Sequence, residues 1–279
     1  MFDSPLVKKL IDLALEEDQA GNDVTANATV PAERVSTAKV IARQRLVVCG
    51  LDIVPEIVKA AHFGLSVHRR ASEGAWASDG DVLLELEGRT RELLAVERTV
   101  LNFLQRLSGV ATYARNFCEG ITGLKILDTR KTMPGWRLLD KYAVKTGGAS
   151  NHRFSLADMV LVKNNHIDAH PHGIKGALED VAAKKPAGMK WEVEVRNLEE
   201  LSTALTFNPT IIMLDNFQDA ALKDALALVR ASPHKPMIEV SGGVSKDRLG
   251  TIQASGVDAV SVGALTTQAP NVDISMRIS

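Results

Sequence analysis

Six short apolar runs in the second half of the chain end in residues that could do chemistry. Charged residues follow the first two runs, acids lie at the third and fourth, and serine or glycine follows the last two. In chain order they are Asp128, Thr129, Arg130 and Lys131, then Lys163, Glu194, Asp215, Ser241-Gly242-Gly243 and Gly263. In α/β barrels, the carboxyl ends of the strands carry the active site. The pattern therefore predicts that these residues meet at one catalytic edge.

The segment 125–163 is locally basic, with eight Lys or Arg residues against three Asp, an excess of five positive charges. Such a segment is either a solvated helix face or a site for a multiply charged anion. Four of its members, Arg130, Lys131, Arg153 and Lys163, fall at strand ends or in a loop between strands. The glycine-led loop that carries His152 beside Arg153 is typical of an anion clamp, because an arginine fork matches carboxylate and phosphate.

Acids and glycines complete the predicted site. Glu192 and Glu194 alternate in the run 191–195, so a strand there places both on one face. Glu194 and Asp215 can hold Mg²⁺, accept hydrogen bonds from sugar hydroxyls, or simply neutralise lysines. The glycines after the last two runs favour backbone N–H groups that approach a phosphate, although tight strand-to-helix turns also need glycine.

The elements that must position these residues alternate between strand and helix. Strands are predicted at 125–127, 159–162, 191–195, 211–214, 237–240 and 259–262, and helices at 137–146, 174–184, 198–205, 220–231 and 246–255. Near-continuous apolar strands separated by helices indicate an α/β fold with a parallel sheet covered by helices. This pattern alone leaves an open doubly wound sheet and a closed barrel as alternatives.

The first half of the chain has a different pattern. A helix begins at Ser4-Pro5, with Ser4 as the N-cap. Strands are predicted at 35–48, 65–69 and 82–86, and helices at 51–63 and 91–118, the last interrupted near Ser108-Gly109. The change in pattern at mid-chain, in 279 residues, predicts two domains.

Composition excludes several classes of protein. The net charge of -1 argues against a nucleic-acid binder held by bulk charge, and 4% aromatic residues are too few for a base-stacking platform. Cys49 and Cys118 are far apart, so neither a disulfide framework nor a zinc site is expected. The start of the chain has no apolar signal core, and no apolar run reaches membrane-spanning length. We expect a cytoplasmic protein with no membrane or nucleic-acid partner.

The motifs and their order resemble the quinolinate phosphoribosyltransferase family, also called nicotinate-nucleotide pyrophosphorylase (carboxylating), nearly from end to end. The matching segments include 14–18, Asn22-Asp23-Val24-Thr25, 97–103, Asp128-Thr129-Arg130-Lys131, Asn151-His152-Arg153, 162–167, 192–195, 213–216, Ser241-Gly242-Gly243 and 262–266. So many motifs in one order are highly specific.

The resemblance implies a fold, an assembly and a reaction. It implies an N-terminal α/β sandwich domain at 1–110, joined by 267–279, and an incomplete α/β barrel of about seven strands at 111–266. It also implies a homodimer or a hexamer (a trimer of dimers), in which Arg98 is donated to the neighbouring subunit. The family joins quinolinate to phosphoribosyl pyrophosphate, giving nicotinate mononucleotide, pyrophosphate and CO₂ in NAD biosynthesis, with Mg²⁺ and no organic cofactor.

The resemblance also assigns roles. Quinolinate is surrounded by Arg98, Arg130, His152, Arg153 and Lys163. The catalytic residues are Lys131, Glu194 and Asp215. Lys131 reaches either the pyridine acid or the pyrophosphate, and the two acids hold the ribose hydroxyls or, directly or indirectly, the metal. Ser241, Gly242, Gly243 and Gly263 cradle the 5-phosphate.

Some features depart from the family pattern, and other functions stay open. Ala149 stands where a glycine is expected and Asn164 where an acid is expected, which affects loop geometry and affinity. The alternatives are a molybdenum-transport-associated protein of the same fold, a nicotinate phosphoribosyltransferase, a non-catalytic binding protein, and a sugar-phosphate enzyme such as an isomerase. Lys163 argues against the first, the density of paired basic groups against the second and fourth, and retained Lys131, Glu194 and Asp215 against the third.

Overall fold

The computed structural model describes all 279 residues and divides them into two compact units. Unit 1 comprises Met1–Phe117, Lys131–Ala149 and Ala264–Ser279, and unit 2 comprises Cys118–Arg130 and Ser150–Gly263. In chain order the elements are α1 (Pro5–Glu17), α2 (Val24–Thr29), β1 (Val35–Ala42), β2 (Leu46–Val47), α3 (Ile53–Ala60), β3 (Ser66–Arg69), β4 (Trp76–Ala77), β5 (Val82–Arg89), α4 (Thr90–Cys118), β6 (Lys125–Leu127), α5 (Arg137–Thr146), β7 (Val160–Val162), α6 (Asn164–Ala169), α7 (Gly173–Lys184), β8 (Trp191–Val195), α8 (Leu198–Leu205), β9 (Ile211–Asp215), α9 (Asp219–Ala231), β10 (Met237–Ser241), a 3₁₀ turn (Lys246–Arg248), α10 (Leu249–Ser255), β11 (Ala259–Ser261), α11 (Ala264–Thr267) and β12 (Ile274–Ile278).

Unit 1 is built on a four-stranded antiparallel sheet in the order β12-β1-β5-β3. β1 alternates buried and more exposed residues, as expected for a strand with one face on a core. The short strands β2 and β4 form a separate antiparallel pair. Because β12 is the last strand of the chain and pairs with β1, the chain end returns to the first unit, as the family resemblance implied.

Helix α4 is continuous from Thr90 to Cys118, so the predicted interruption near Ser108-Gly109 was wrong. Two contacts explain why these weak helix formers lie there. The Ser108 hydroxyl accepts from the Cys49 backbone N–H (3.1 Å) and lies 3.2 Å from the Cys49 carbonyl, to which it donates. A Cβ on Gly109 would collide with the carbonyl of Pro270. These residues therefore serve packing against neighbouring chain segments rather than ending the helix.

Unit 2 is built on six parallel strands in the order β6-β11-β10-β9-β8-β7. The sheet curls back through the pairing of β11 with β6, and Ser150 adds one parallel bridge beside Leu127 on the outer side of β6. β7 pairs with β8 alone. The result is an incomplete α/β barrel of six strands and a one-residue bridge, which agrees with the predicted incomplete barrel of about seven strands.

The compact units differ from the expected boundaries at 110/111 and 266/267. Residues 111–117, 131–149 and 264–266 group with unit 1. The physical reason lies in α4, which extends to Cys118 and holds the 131–149 segment. Arg106 of α4 pairs with the buried Asp140 of α5 at 3.1 Å, and Arg115 donates to the Gly147 carbonyl at 2.8 Å.

Most predicted elements agree with the structure to within one or two residues. The six strands and their helices in the second half are all present. The run 35–48 is instead divided into β1 and β2, and helix α2 was not predicted. The Asp23 side chain caps α2 by accepting from the Ala26 N–H at 2.8 Å. None of the helices is both long enough and apolar enough to span a membrane.

Candidate active site

The parallel strands of unit 2 bring most of the predicted site residues to one edge. Asp128 and Arg130 follow β6, Lys163 follows β7, and Gly263 follows β11 closely. Glu194 lies in the carboxyl half of β8, while Asp215 and Ser241 are the last residues of β9 and β10 and are paired in register. This is the carboxyl edge that the sequence pattern predicted.

Asp128 fixes the basic loop that follows the Ser150 bridge. Its side chain is fully buried. One carboxylate oxygen accepts from the His152 backbone N–H at 2.8 Å, and the other accepts from the Asn151 side chain at 2.7 Å. A buried carboxylate with such donors is held in place firmly. Asp128 is therefore a positioning residue for His152 and Arg153.

Arg153 presents a guanidinium that is only partly engaged. Its Nη1 donates to the Met159 carbonyl at 3.0 Å, whereas its buried Nε has no partner. Burial and the neighbouring positive charge of Arg130 lower its pKa below the ordinary arginine value. Two like charges brought together at this edge favour an anion between them.

Lys163 and Glu194 form an ion pair at 2.8 Å. The lysine side chain is 45% exposed, whereas the glutamate side chain is 9% exposed. Lys163 is also the residue before α6, where its backbone N–H donates to the Nδ1 of His166. His166 therefore orients this turn, and the ion pair gives the nearly buried Glu194 a cationic partner.

Deeper in the same unit, His152 contacts two buried glutamates. Its Nε2 lies 3.1 Å from Glu192 Oε2 and 3.6 Å from Glu239 Oε2. The ligand-type atoms of these three residues all lie within 4.8 Å of one another. Burial and the charge of Glu192 raise the pKa of Glu239 to about 7, against the opposing charges of His152 and Lys163. The site thus contains an acid that exchanges its proton near neutral pH.

The turn after β10 has the geometry of a close backbone approach. Gly242 and Gly243 have φ angles of 88° and 58°, in the left-handed region that glycine adopts readily. A Cβ on Gly242 would also collide with the side chain of Asn216. Asn216 donates its backbone N–H to the Ser241 carbonyl at 2.9 Å, which ties this turn to the end of β9. The turn therefore requires glycine and leaves room on its outer side at Gly243.

Arg98 and Lys131 belong to unit 1. Arg98 lies on α4 and lines a cavity of about 410 Å³ with residues of α1 and with Trp136. Lys131 lines a cavity of about 400 Å³ with Arg106 and Thr266, and its carbonyl accepts from the Thr266 hydroxyl at 2.7 Å. Both residues therefore line cavities of unit 1.

Sequence reasoning missed two functional candidates. Asp128 appeared only as a strand-end residue, although an acid directly after an apolar strand is itself a signal of a buried hydrogen-bonding role. Glu239 lies inside an apolar run, where a single acid is unusual and is itself a signal of a buried polar role.

The arrangement can bind a multiply charged anion beside a sugar phosphate. Arginine and lysine side chains face the edge, glycines approach it through the backbone, and two acids lie at β8 and β9. Acids there can accept hydrogen bonds from hydroxyl groups or stabilise positive charge on a sugar, while the basic residues stabilise a departing anion.

Comparison with known proteins gives one family along the chain. The sequence profiles described as Quinolinate phosphoribosyl transferase, N-terminal domain and C-terminal domain match residues 23–108 and 110–277. The chain is 38% identical over 273 residues to the nicotinate-nucleotide pyrophosphorylase [carboxylating] of Mycobacterium leprae, covering 95% of this chain and 94% of that protein.

Solved structures agree with this comparison. The nicotinate-nucleotide pyrophosphorylase of Francisella tularensis has a TM-score of 0.89 and 35% identity, covering 98% of this chain and 96% of its own. That of Ehrlichia chaffeensis has a TM-score of 0.91 and 32% identity, and both chains are covered completely.

Proposed function

The chain belongs to the quinolinate phosphoribosyltransferase family, and we propose that the carboxyl edge of unit 2 is where its two substrates bind. The enzyme transfers the phosphoribosyl group of phosphoribosyl pyrophosphate to quinolinate and removes one carboxylate. The products are nicotinate mononucleotide, pyrophosphate and CO₂, which places the reaction in the de novo synthesis of NAD.

The basic residues at the edge fit quinolinate, which carries two adjacent carboxylates. We assign Arg130, His152, Arg153 and Lys163 to this substrate, with Arg98 as a further contact. The observation that carries the assignment is the partly engaged guanidinium of Arg153, which lies close enough to the positive charge of Arg130 to be affected by it. The loop that carries Arg153 is held by the hydrogen bond from the His152 backbone N–H to Asp128. A dicarboxylate supplies the negative charge that two neighbouring arginines need.

The acids and glycines fit the second substrate. We assign Glu194 and Asp215 to the ribose hydroxyls, Ser241, Gly242, Gly243 and Gly263 to the 5-phosphate, and Lys131 to the pyrophosphate. Support comes from the register of Asp215 with Ser241 and from the positive φ angles of the glycine turn. Backbone N–H groups at such turns bind phosphate without steric hindrance.

The acids fit Mg²⁺ less well than they fit hydroxyl groups. Glu194 Oε2 pairs with Lys163, and Oε1 lies 3.5 Å from the Asn164 N–H. Asp215 Oδ2 accepts from the Asn216 side chain at 3.0 Å. We propose that Mg²⁺ enters with the pyrophosphate, whose oxygens and water supply its ligands. The ion neutralises charge on the leaving group.

The chemistry then follows from the charges. The pyridine nitrogen attacks C1 of ribose as pyrophosphate leaves, and positive charge develops on the sugar. Glu194 and Asp215 stabilise that charge, while Lys131 and the neighbouring basic residues stabilise the pyrophosphate. The alkylated nitrogen makes the ring an electron sink, so the adjacent carboxylate departs as CO₂. No organic cofactor enters these steps.

A direct assay tests this function. Purified protein is incubated with quinolinate, phosphoribosyl pyrophosphate and Mg²⁺, and nicotinate mononucleotide and CO₂ are measured, with nicotinate as the parallel substrate. We expect product only from quinolinate. Product from nicotinate alone would overturn the proposal in favour of a non-decarboxylating transferase. The homodimer and the cytoplasmic location stay predictions.

A further inference from the structure

Two buried glutamates lie below the carboxyl edge of unit 2 in positions that the substrate assignments do not use. Glu192 precedes Glu194 by two residues in β8, and Glu239 precedes Ser241 by two residues in β10. Because side chains in a strand alternate between faces, each acid shares the face of its edge residue. Both glutamates are at most 1% exposed. With His152 they form the acid cluster, His152, Glu192 and Glu239.

The histidine of the acid cluster has its Nε2 close to both acids. The Arg153 backbone N–H donates to His152 Nδ1 at 2.8 Å. A ring nitrogen that accepts a hydrogen bond carries no proton, so the proton of the neutral ring lies on Nε2. Nε2 is the atom that lies 3.1 Å and 3.6 Å from the two glutamates. The ring of His152 therefore has its Nδ1 against the backbone and its Nε2 against the two acids.

The acid cluster is short of donors for two ionised carboxylates. Both carboxylate oxygens of Glu192 and Oε1 of Glu239 are buried without a hydrogen-bond partner. Ionised carboxylates without donors are costly in a buried position. One additional proton removes most of that cost, and burial together with the charge of Glu192 places it on Glu239, whose pKa is raised to about 7.

The neighbours of Glu239 are consistent with this proton. β9 and β11 present Met213 and Ala259 in register with it, and neither side chain titrates. The charged groups that act on it are Glu192, His152 and Lys163. Lys163 is paired with Glu194 at 2.8 Å. The charge of Glu192 also acts on the guanidinium of Arg153.

The reaction needs a proton at this place. Loss of CO₂ breaks the bond between ring C2 and the carboxylate carbon, and the electron pair of that bond stays on C2. The pair must take one proton to give nicotinate mononucleotide. His152, assigned above to quinolinate, lies 3.6 Å from Glu239 Oε2, so a bound ring is one side chain away from the proton.

We propose that the acid cluster stores the proton that replaces the departing carboxylate on C2, with Glu239 as the proton-storing residue and Glu192 and His152 as its positioning residues. Glu239 gives up its carboxyl proton and becomes a carboxylate, and the C2 electron pair takes up one proton that is passed on across the intervening His152 side chain. It regains a proton from water before the next turnover. This proposal rests on the proposed function, which fixes both the substrate and its place at the edge.

The test separates the two chemical steps. In rapid-quench experiments, pyrophosphate and nicotinate mononucleotide are measured for wild type, E239Q, E239D and the exposed control E179Q. We expect E239Q to release one equivalent of pyrophosphate per site at close to the wild-type rate. It should form nicotinate mononucleotide about 10²-fold more slowly or worse, so that quinolinate mononucleotide accumulates. E239D should recover part of the second step, and E179Q should match wild type.

The pH dependence of kcat distinguishes proton storage by Glu239 from a merely structural role, which would leave that dependence unchanged. Wild-type kcat should fall as pH rises through about 7, because the stored proton is lost, whereas kcat of E239Q should lack this fall. The proposal is overturned if pyrophosphate release and product formation slow equally in E239Q, or if the two profiles coincide. Failure of the proposed function is a different result, namely wild-type protein that makes no nicotinate mononucleotide from quinolinate.

Discussion

Arg153 carries much of the electrostatics of the proposed quinolinate site. Its loop is fixed from below by Asp128, through the His152 N–H and the Asn151 side chain. Its guanidinium has one buried donor, Nε, without a partner. Burial and the nearby positive charge of Arg130 lower the pKa of Arg153. A group in this state binds an anion with little reorganisation, which is the condition under which a single charge stabilises a transition state strongly.

The R153A variant should lose turnover by roughly 10²–10³-fold while keeping its fold, because one charge-stabilising donor is removed from a partly exposed loop. Steady-state kinetics with circular dichroism checks both parts. R153K keeps the charge without the planar fork and should lie between R153A and wild type. Near-normal turnover in R153A would remove this residue from the mechanism.

Glu239 should also leave a mark on stability that needs no substrate. Its folded pKa of about 7 lies above the ordinary glutamate value of 4.5, so the folded protein binds more protons than the unfolded chain between these values. The contribution to the free energy of unfolding is therefore complete below pH 4.5 and is lost as pH rises through 7, with a size on the order of 3 kcal/mol.

Thermal unfolding of wild type and E239Q at pH 5 and pH 8 measures this contribution. Gln cannot ionise, so E239Q should lose less stability than wild type between the two pH values. The exposed E179Q variant should follow wild type. An identical pH dependence in E239Q and wild type would show that Glu239 titrates normally.

At the scale of elements, α4 shows how a helix is maintained through residues with poor helix propensity. Ser108 hydrogen bonds with the backbone of Cys49, and Gly109 allows the chain at Pro270 to pass closely. Helix propensities predict that a helix is interrupted at Ser108-Gly109. The pattern carries no information about a segment 161 residues away, so only the folded chain shows that the small residues serve close packing.

The G109A variant should be destabilised, because the added Cβ collides with backbone that cannot move away easily. We expect a loss of about 1–3 kcal/mol, seen as a lower midpoint of thermal unfolding. The matched control is G250A in α10, where no atom lies within 4 Å of the added Cβ. G250A should be neutral or stabilising by up to about 1 kcal/mol. Equal midpoints for the two variants would contradict this account.

At the scale of the whole molecule, the family resemblance implies that Arg98 completes the site of a neighbouring subunit. Leu6 and Leu13 of α1 are each 60% exposed, and Leu13 lines the same cavity as Arg98. Exposed apolar residues of this size are typical of a surface covered by another chain. These features support, within unit 1, a subunit interface at α1 and α4.

Mixing two inactive variants tests the shared site. R98A and R153A should each be inactive, but subunits exchanged between them form heterodimers with one intact site. Random pairing gives heterodimers in half of the dimers, so about a quarter of wild-type activity should return. K163A mixed with R153A is the control. Each of these changes disables the site of the subunit that carries it, so a heterodimer has no intact site. No recovery in the first mixture, with a dimer confirmed by light scattering, would show that Arg98 acts within its own chain.

The sequence by itself determined the α/β class, the order of strands and helices in the second half, and the residues at the carboxyl ends of the strands. These follow from local periodicity and composition, which neighbouring residues specify directly. The family motifs added the reaction, and the sequence profiles confirm the family.

Only the tertiary structure decided which distant groups meet. It showed the six strands and the bridge at Ser150 that make up the incomplete barrel, a continuous α4, and the grouping of 131–149 with the first unit. It also showed that Asp128 positions the basic loop and that His152 contacts Glu192 and Glu239. Residues 152, 192 and 239 come together through strand pairing and barrel curvature, long-range contacts that no local pattern in the chain contains.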